Sequence, residues 1–202
     1  GVGLWRVRFM PDQVGTWRFE AAFSDGVTPT KGTFECVPSE IPGRIGIYAV
    51  NPIWFGFKGG KPVLIRSLHV GDRFFADADN SLTGQRWNPQ RRETFLDWAR
   101  QQGYNMLSIG SHYINRDSAG RGRGWNTPDL WDAQNPCPSW RQYQSMERVL
   151  DDLASRGMMV YPFVGFFGRD SDFPRDPAKQ DLYIQYTLAR LGAYWNVLLL
   201  VG

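Results

Sequence analysis

At 202 residues, 42 % apolar and 21 % charged, the chain has the size of one large domain or one and a half ordinary ones and the make-up of a globular protein. Its net charge of +3 comes from 23 basic and 20 acidic residues spread along the sequence; the densest basic stretch, residues 116–123, is glycine-rich without interleaved aromatics, which argues against nucleic acid as a partner. Two cysteines (Cys36, Cys137) make no disulfide framework, two histidines (His69, His112) make no metal cluster, and no apolar run nears the ~20 residues of a membrane span, so no cofactor, metal or membrane insertion is expected.

Residues 1–38 have the pattern of β structure. Leu4-Trp5-Arg6-Val7-Arg8-Phe9 alternates apolar and basic residues, as a half-buried antiparallel strand does. Pro11-Asp12-Gln13-Val14-Gly15 is a turn cluster. Residues 16–23 alternate again, with Trp17, Phe19 and Ala21 on one face. After a turn at Ser24-Asp25-Gly26, Gly32-Thr33-Phe34-Glu35-Cys36-Val37 is a third strand. Three strands are too few for a sandwich, so more of that domain is expected upstream of Gly1. The proline-containing stretch 38–43 is the expected boundary. Short strands follow at 45–50 and 54–57, then a hairpin turn at Lys58-Gly59-Gly60-Lys61 and one strand over 62–70.

From there the apolar period changes. Asn88-Pro89 starts a helix whose face carries Phe95, Trp98, Ala99 and Gln102, with Leu96 beside it, and Gly103 stops it. Residues 106–111 form the next strand, followed by a loop of about 25 residues, far longer than ordinary strand-to-helix connections. Ser139-Trp140-Arg141-Gln142 fits a capping box, and Tyr143, Met146, Val149, Leu150 and Leu153 make an apolar stripe ending at Gly157. Residues 158–164 are a strand. Asp176-Pro177 opens a third helix with Leu182, Tyr186, Ala189 and Ala193 on one face and Gly192 as terminator. The apolar run Asn196-Val197-Leu198-Leu199-Leu200-Val201 is the last strand, buried on both faces. Strict strand–helix alternation predicts an α/β fold with a parallel sheet. Val70-Gly71-Asp72-Arg73 lacks a phosphate-binding glycine fingerprint, and long loops after the strands suit the first half of a (β/α)8 TIM-type barrel.

Aromatic content is 15 %, with nine tryptophans, which fits either a large core with surface tryptophans or a cleft that stacks sugar rings. Two segments carry a family resemblance. Trp5 through Trp17, with 32–37 and 55–62, resembles the end of the immunoglobulin-like sandwich that precedes many bacterial glycoside hydrolases. Residues 95–105, 146–160 and 182–202 resemble the first half of an apiosidase-like, clan-A-type glycoside hydrolase barrel. The resemblance implies a division into residues 1–40, the C-terminal strands of the sandwich, and 41–202, barrel strands 1–4. It implies a secreted or periplasmic enzyme that cleaves O-glycosidic bonds of a carbohydrate substrate with two carboxylates. In such barrels the acid/base follows the fourth strand and the nucleophile the seventh, so both are expected after Gly202 and none is assigned within the chain. A half barrel would leave apolar strand edges, so self-association of the 202-residue chain is expected.

Substrate-binding candidates are therefore residues near the carboxyl ends of the strands. Asp72 is either a turn or cap residue or a cleft carboxylate. His112, with Tyr113, either meets a sugar hydroxyl or is a satisfied structural histidine. Trp125 and Trp131, with Trp140 nearby, stack on sugar or pack the long loop. Phe166 or Phe167 walls the cleft. Gly120-Arg121-Gly122-Arg123-Gly124 is expected to be a mobile loop rather than an anion site. His69 is expected in the core, and Lys61 and Arg66 are expected to be structural. The alternative is a barrel that binds carbohydrate or acts as a scaffold without catalysis. Its basis is that the five glutamates, Glu20, Glu35, Glu40, Glu93 and Glu147, all lie away from the carboxyl ends of the expected parallel strands. A metal-dependent hydrolase is a third possibility, disfavoured by only two histidines.

Overall fold

The computed structural model describes residues 6–58, 60–70, 89–109, 140–162 and 176–199. In chain order the elements are β1 (Gly15–Ala21), β2 (Thr30–Cys36), β3 (Ile45–Ile47), β4 (Phe55–Phe57), β5 (Pro62–Val63), β6 (Ser67–His69), α1 (Pro89–Gln101), β7 (Met106–Ile109), α2 (Trp140–Ser155), β8 (Met159–Pro162) and α3 (Pro177–Leu191). The strands form three sheets: the antiparallel pair β1-β2, the antiparallel triple β3-β4-β5, and a parallel sheet ordered β6-β7-β8. The expected α/β organisation with parallel strands is present.

In the first pair, Gly15 faces Cys36 and Ala21 faces Thr30. Trp17 and Phe34 are cross-strand partners and stack at 6.4 Å. Phe9 tilts against both rings, at 5.7 and 5.5 Å. Phe19 lies over Gly32, where a Cβ would come within 2.5 Å of the ring. The strand expected over 4–9 is not seen where the chain is described: residues 6–10 join no ladder. Side chains fix this segment instead. Arg8 reaches Glu147, Met10 packs beneath the parallel sheet, and Asp12 pairs with Lys58 at 2.6 Å, while Phe9 turns to the β1-β2 aromatics. Of the basic members of the alternation, Arg8 binds protein at Glu147, while Arg6 is exposed.

The run 62–70 also differs from its expectation of one strand. It divides into β5 and β6, which belong to different sheets. The cause is Asn105. Its Nδ2 donates to the Leu64 carbonyl at 2.9 Å and its Oδ1 accepts from the Arg66 amide at 2.9 Å, so a side chain takes the Leu64 carbonyl and the Arg66 amide, while the Arg66 carbonyl already accepts from the Asn105 and Met106 amides. The hairpin turn at 58–61 is as expected, with the Gly60 amide donating to Phe57 O at 2.9 Å.

Residues on alternate positions of the parallel strands face opposite ways. Leu68, Val70, Leu107, Ile109, Val160 and Val197 pack against the three helices. Met106 and Met159 face away from the helices and are covered by Ile45, Phe57, Val63, Ile65 and Trp195. The β3-β4-β5 sheet thus closes the amino-terminal end of the parallel sheet on its second face, aided by the Ile45 amide donating to Trp195 O at 3.5 Å. The expected last strand is represented by a parallel bridge, Val160 to Val197, with Val160 N donating to Asn196 O at 2.7 Å and Leu198 N to Val160 O at 3.0 Å.

Two helix faces are rotated from their expected orientation. In α1 the buried residues among those described are Leu96 and Ala99, while Trp98 is 45 % exposed and meets the Phe95 and Tyr104 rings at a tilt. In α3 they are Tyr183, Thr187 and Leu191, with Leu182 and Ala189 exposed. Thr187 is buried because the Tyr143 hydroxyl hydrogen-bonds it, a polar pairing that an apolar count passes over. The stripe on α2 holds at Tyr143, Val149, Leu150 and Leu153. Asp176 caps α3 by accepting from the Ala178 amide at 3.1 Å, with Pro177 in the first turn. Gly103 and Gly157 close α1 and α2 with φ of 79° and 68°, a left-handed conformation that favours glycine.

Candidate functional site

The register of the parallel sheet aligns His69, Ser108 and Tyr161 in one row: His69 opposite Ser108, Ser108 opposite Tyr161. All three lie on the face away from the helices, one pleat beyond the Met106 and Met159 pair toward the carboxyl ends. Tyr161 still packs on the apolar cluster of Ile45, Met106, Met159 and Trp195. The result is an amino-terminal half filled with methionine, tryptophan and isoleucine, and a carboxyl-terminal half that presents an imidazole, a hydroxyl and a phenol. Ser108 is 9 % exposed, Tyr161 is half-buried and His69 is exposed. His69 Nδ1 lies 3.3 Å from Ser108 Oγ. His69 therefore stands at the edge of the sheet and not in the core where the sequence placed it. Its parity with Ser67, opposite Leu68 and Val70, turns it away from the helices.

Two asparagines hold this edge in register from the other end. Asn105, before β7, clamps Leu64 and Arg66, and its own carbonyl accepts from the Met159 amide at 2.8 Å. Asn196, fully buried, donates from Nδ2 to Leu150 O at 3.0 Å and to Met158 O at 3.1 Å, while its carbonyl accepts from Val160 N. Each follows an aromatic residue, Tyr104 or Trp195, and precedes an apolar run. That repeated aromatic-Asn-apolar pattern was the available sequence signal, and the reading by hydrophobic period did not use it.

A second polar group lies on the helix side. Glu147, 6 % exposed, accepts from Arg190 Nε at 2.6 Å and Nη2 at 2.7 Å, and from Arg8 Nη2 at 3.2 Å. Burial works against the Arg190 charge, but hydrogen bonds to Glu147 and Tyr186 outweigh it and hold the guanidinium more basic than usual. Burial pushes the Tyr143 phenol well above its ordinary range. It does the same for Tyr194, assisted by the nearby Asp151 and Glu147 carboxylates. With Arg190 bidentate on it and Arg8 beside it, Glu147 is a structural anion. It marks where Arg8 ties the N-terminal segment to α2 and α3. A glutamate inside the apolar stripe of α2 was the signal for a buried cation.

None of the expected substrate-binding residues is among those the structure describes. Asp72 lies in 71–88, His112, Tyr113, Trp125 and Trp131 in 110–139, and Phe166 and Phe167 in 163–175. Each of these segments follows β6, β7 or β8 directly in the sequence. The described residues contain no group of three or more His, Cys, Asp or Glu arranged to hold a metal ion, and no helix among them is long and apolar enough to cross a membrane.

No family model matches the chain, and no curated protein matches it. Among solved structures, it is similar to one described as a glycoside hydrolase, with TM-score 0.46 and 14 % identity over 80 % of this chain and 35 % of the other. A glycoside hydrolase family 5 structure from Bacteroides vulgatus gives TM-score 0.46 and 16 % identity over 80 % of this chain and 33 % of the other. The chain spans about a third of the length of these structures. Likeness at this level sets no family for the chain.

Proposed function

We propose that residues 41–202 are the first four strands of a (β/α)8 barrel and that the whole protein is a glycoside hydrolase, cleaving O-glycosidic bonds of an oligosaccharide or polysaccharide. The observation that carries the reading is the division of the parallel sheet. Helices cover one face, an apolar plug closes the amino-terminal half of the other, and its carboxyl-terminal half carries the row His69, Ser108, Tyr161. A sheet of this kind supports chemistry in the loops after its strands. Hydroxyl, imidazole and phenol groups there, which both donate and accept hydrogen bonds, suit a polyhydroxylated ligand. Asp72, His112, Tyr113, Trp125, Trp131, Phe166 and Phe167 follow these strands in sequence and are the residues proposed to complete the cleft. Residues 1–40 are proposed to be the last strands of a β-sandwich, since β1-β2 alone leaves Phe19 and Phe23 about half exposed. A secreted or periplasmic location goes with this reading.

The catalytic pair would be two carboxylates, about 5–5.5 Å apart for retention or about 6.5–9.5 Å for inversion. The five glutamates do not supply it: Glu20 and Glu35 are on β1 and β2, Glu40 lies between sheets, Glu93 is on α1, and Glu147 is bound by arginine. That observation favours one second reading, a carbohydrate-binding barrel without catalysis. The experiment is to assay the full-length gene product on aryl glycosides and polysaccharides and to replace the acids that follow the fourth and seventh strands. Hydrolysis abolished by either replacement supports the enzyme. Sugar binding with no hydrolysis supports the second reading, and neither binding nor hydrolysis defeats both.

A further inference from the structure

We propose that Ile47 and Phe55 are a docking surface within the full-length protein, on which the parallel strands that continue the sheet past Val197 lay their inward-facing apolar side chains. The β3-β4-β5 sheet then ties the two halves of the barrel together from below. This rests on the barrel reading above and goes beyond it by naming the contact.

The register puts five apolar side chains on one face of β3-β4-β5. Ile45 is opposite Phe57, Ile47 opposite Phe55, and Phe55 opposite Val63, so alternation turns all five the same way. Three of them are in use. Ile45, Phe57 and Val63 pack with Met106, Met159 and Trp195, and the Phe57 and Trp195 rings meet edge-on at 6.0 Å. Ile45 is 8 % exposed as a result. The face then runs on past this contact and is bare among the described residues: Ile47 is 73 % exposed and Phe55 42 %.

Continuity, direction and reach choose the occupant. The bare corner belongs to a face that is already the interface with the parallel sheet. It looks toward the inward side of that sheet, so what covers it must stand beside Trp195 and Met159, as the next strand would. The cover already reaches β7 through Met106, β8 through Met159 and the chain beside β8 through Leu198, while Ile65 leads into β6. Strands beyond these are what remains to meet it. The chemistry agrees, since all five residues of the face are apolar and the inside of such a barrel is filled by bulky branched side chains.

The test uses full-length protein carrying the photo-cross-linker p-benzoylphenylalanine at Ile47, at Phe55 or, as a control, at Val50, which is 81 % exposed in the turn 48–54. Linked peptides are identified by mass spectrometry after irradiation. We expect Ile47 and Phe55 to join apolar residues C-terminal to Gly202 of the same molecule, and Val50 not to. Links that stay within residues 1–202, links to a second copy, or no link at either position overturn the docking. Hydroxyl-radical footprinting of the unmodified protein guards against a probe that disturbs folding. Trp54 is 45 % exposed and has the opposite parity. After correction for residue type, Phe55 should react about fivefold less than Trp54, as a half-exposed ring does on leaving water; equal reactivity overturns the docking. Amide exchange at Val197 tests the barrel reading separately. Leu198 N donates to Val160 O, so alternation points Val197 N away from β8, to where a fifth strand pairs. Slow exchange there, with links that return to residues 1–202, overturns the docking while the barrel reading stands. Fast exchange means that the sheet ends at Val197, and both fall.

Discussion

The parallel sheet and the β1-β2 ribbon are built from similar side chains and differ in what covers them. Leu107 and Val160 are fully buried, while Phe19, Phe23 and Val14 are 45 %, 46 % and 66 % exposed. The sheet has helices on one face and an aromatic–methionine plug on the other; among the described residues the ribbon has an aromatic patch where Phe9 meets Trp17 and Phe34. Apolar content does not make a core by itself, because an element stabilises the fold in proportion to the partners that exclude water from it. What joins the two regions is the short segment bearing Arg8, Phe9, Met10 and Asp12, whose side chains alternate between them.

The comparison is attacked most directly at that junction. Glu147→Ala leaves Arg190 and Arg8 facing each other without a counter-charge and should destabilise by about 3–5 kcal/mol in chemical denaturation. A loss below about 1 kcal/mol would mean that water already reaches this group. Leu107→Ala should cost about 2–5 kcal/mol, the range for a fully buried leucine whose surroundings cannot collapse. Asn105→Ala removes two backbone partners at the break between β5 and β6 and should cost about 1–3 kcal/mol. Amide exchange at Arg66 should quicken more than at Val160, and equal acceleration at both would deny the clamp its local role. Phe19→Ala, in the ribbon, should cost only about 0.2–1 kcal/mol, as cross-strand pairs on open faces do. A cost like that of Leu107→Ala would show the ribbon to be covered in solution.

The smallest effect concerns pH. The Lys58 ammonium, by hydrogen bond and then by charge, holds the exposed Asp12 carboxyl below its usual range. A depressed carboxylate stabilises the fold above its unfolded value, about 3.9, and that contribution is lost as pH falls through the lower folded value. Asp12→Asn should flatten this acid limb of the stability curve and leave the neutral region almost unchanged. Urea midpoints at neutral and acidic pH measure it.

Much of the scaffold was legible in the sequence because it rests on local rules: glycine at the ends of α1 and α2, the Asp176-Pro177 start of α3, the alternation of β1 and β2, the apolar stripe of α2. What was not legible depended on distant partners. The break at Leu64 to Arg66 is made by Asn105, some forty positions on. Arg8 looked like a solvent-facing strand residue because its partner Glu147 is 139 positions away. His69 looked like core because it stands in an apolar run, yet period two turns it from Leu68 and Val70 to the opposite face. The proposed edge row escaped for the same reason: Ser108 and Tyr161 are ordinary residues within their strands, and only register makes them neighbours. The expected site residues of the connecting segments fall outside the described residues.

The Asn105 clamp also bears on how chain length can vary. One side chain grips the carbonyl of Leu64 and the amide of Arg66, so the spacing between them is measured like the jaws of a caliper. An inserted or deleted residue at Ile65 would leave one jaw empty or turn every following side chain of β6 over, sending His69 toward the helices and Leu68 to the edge. The turn at 48–54, held by bonds within itself, has no such gauge. Over evolutionary time, lineages carrying this fold should therefore differ freely in the length of that turn while keeping the count from Leu64 to His69 constant.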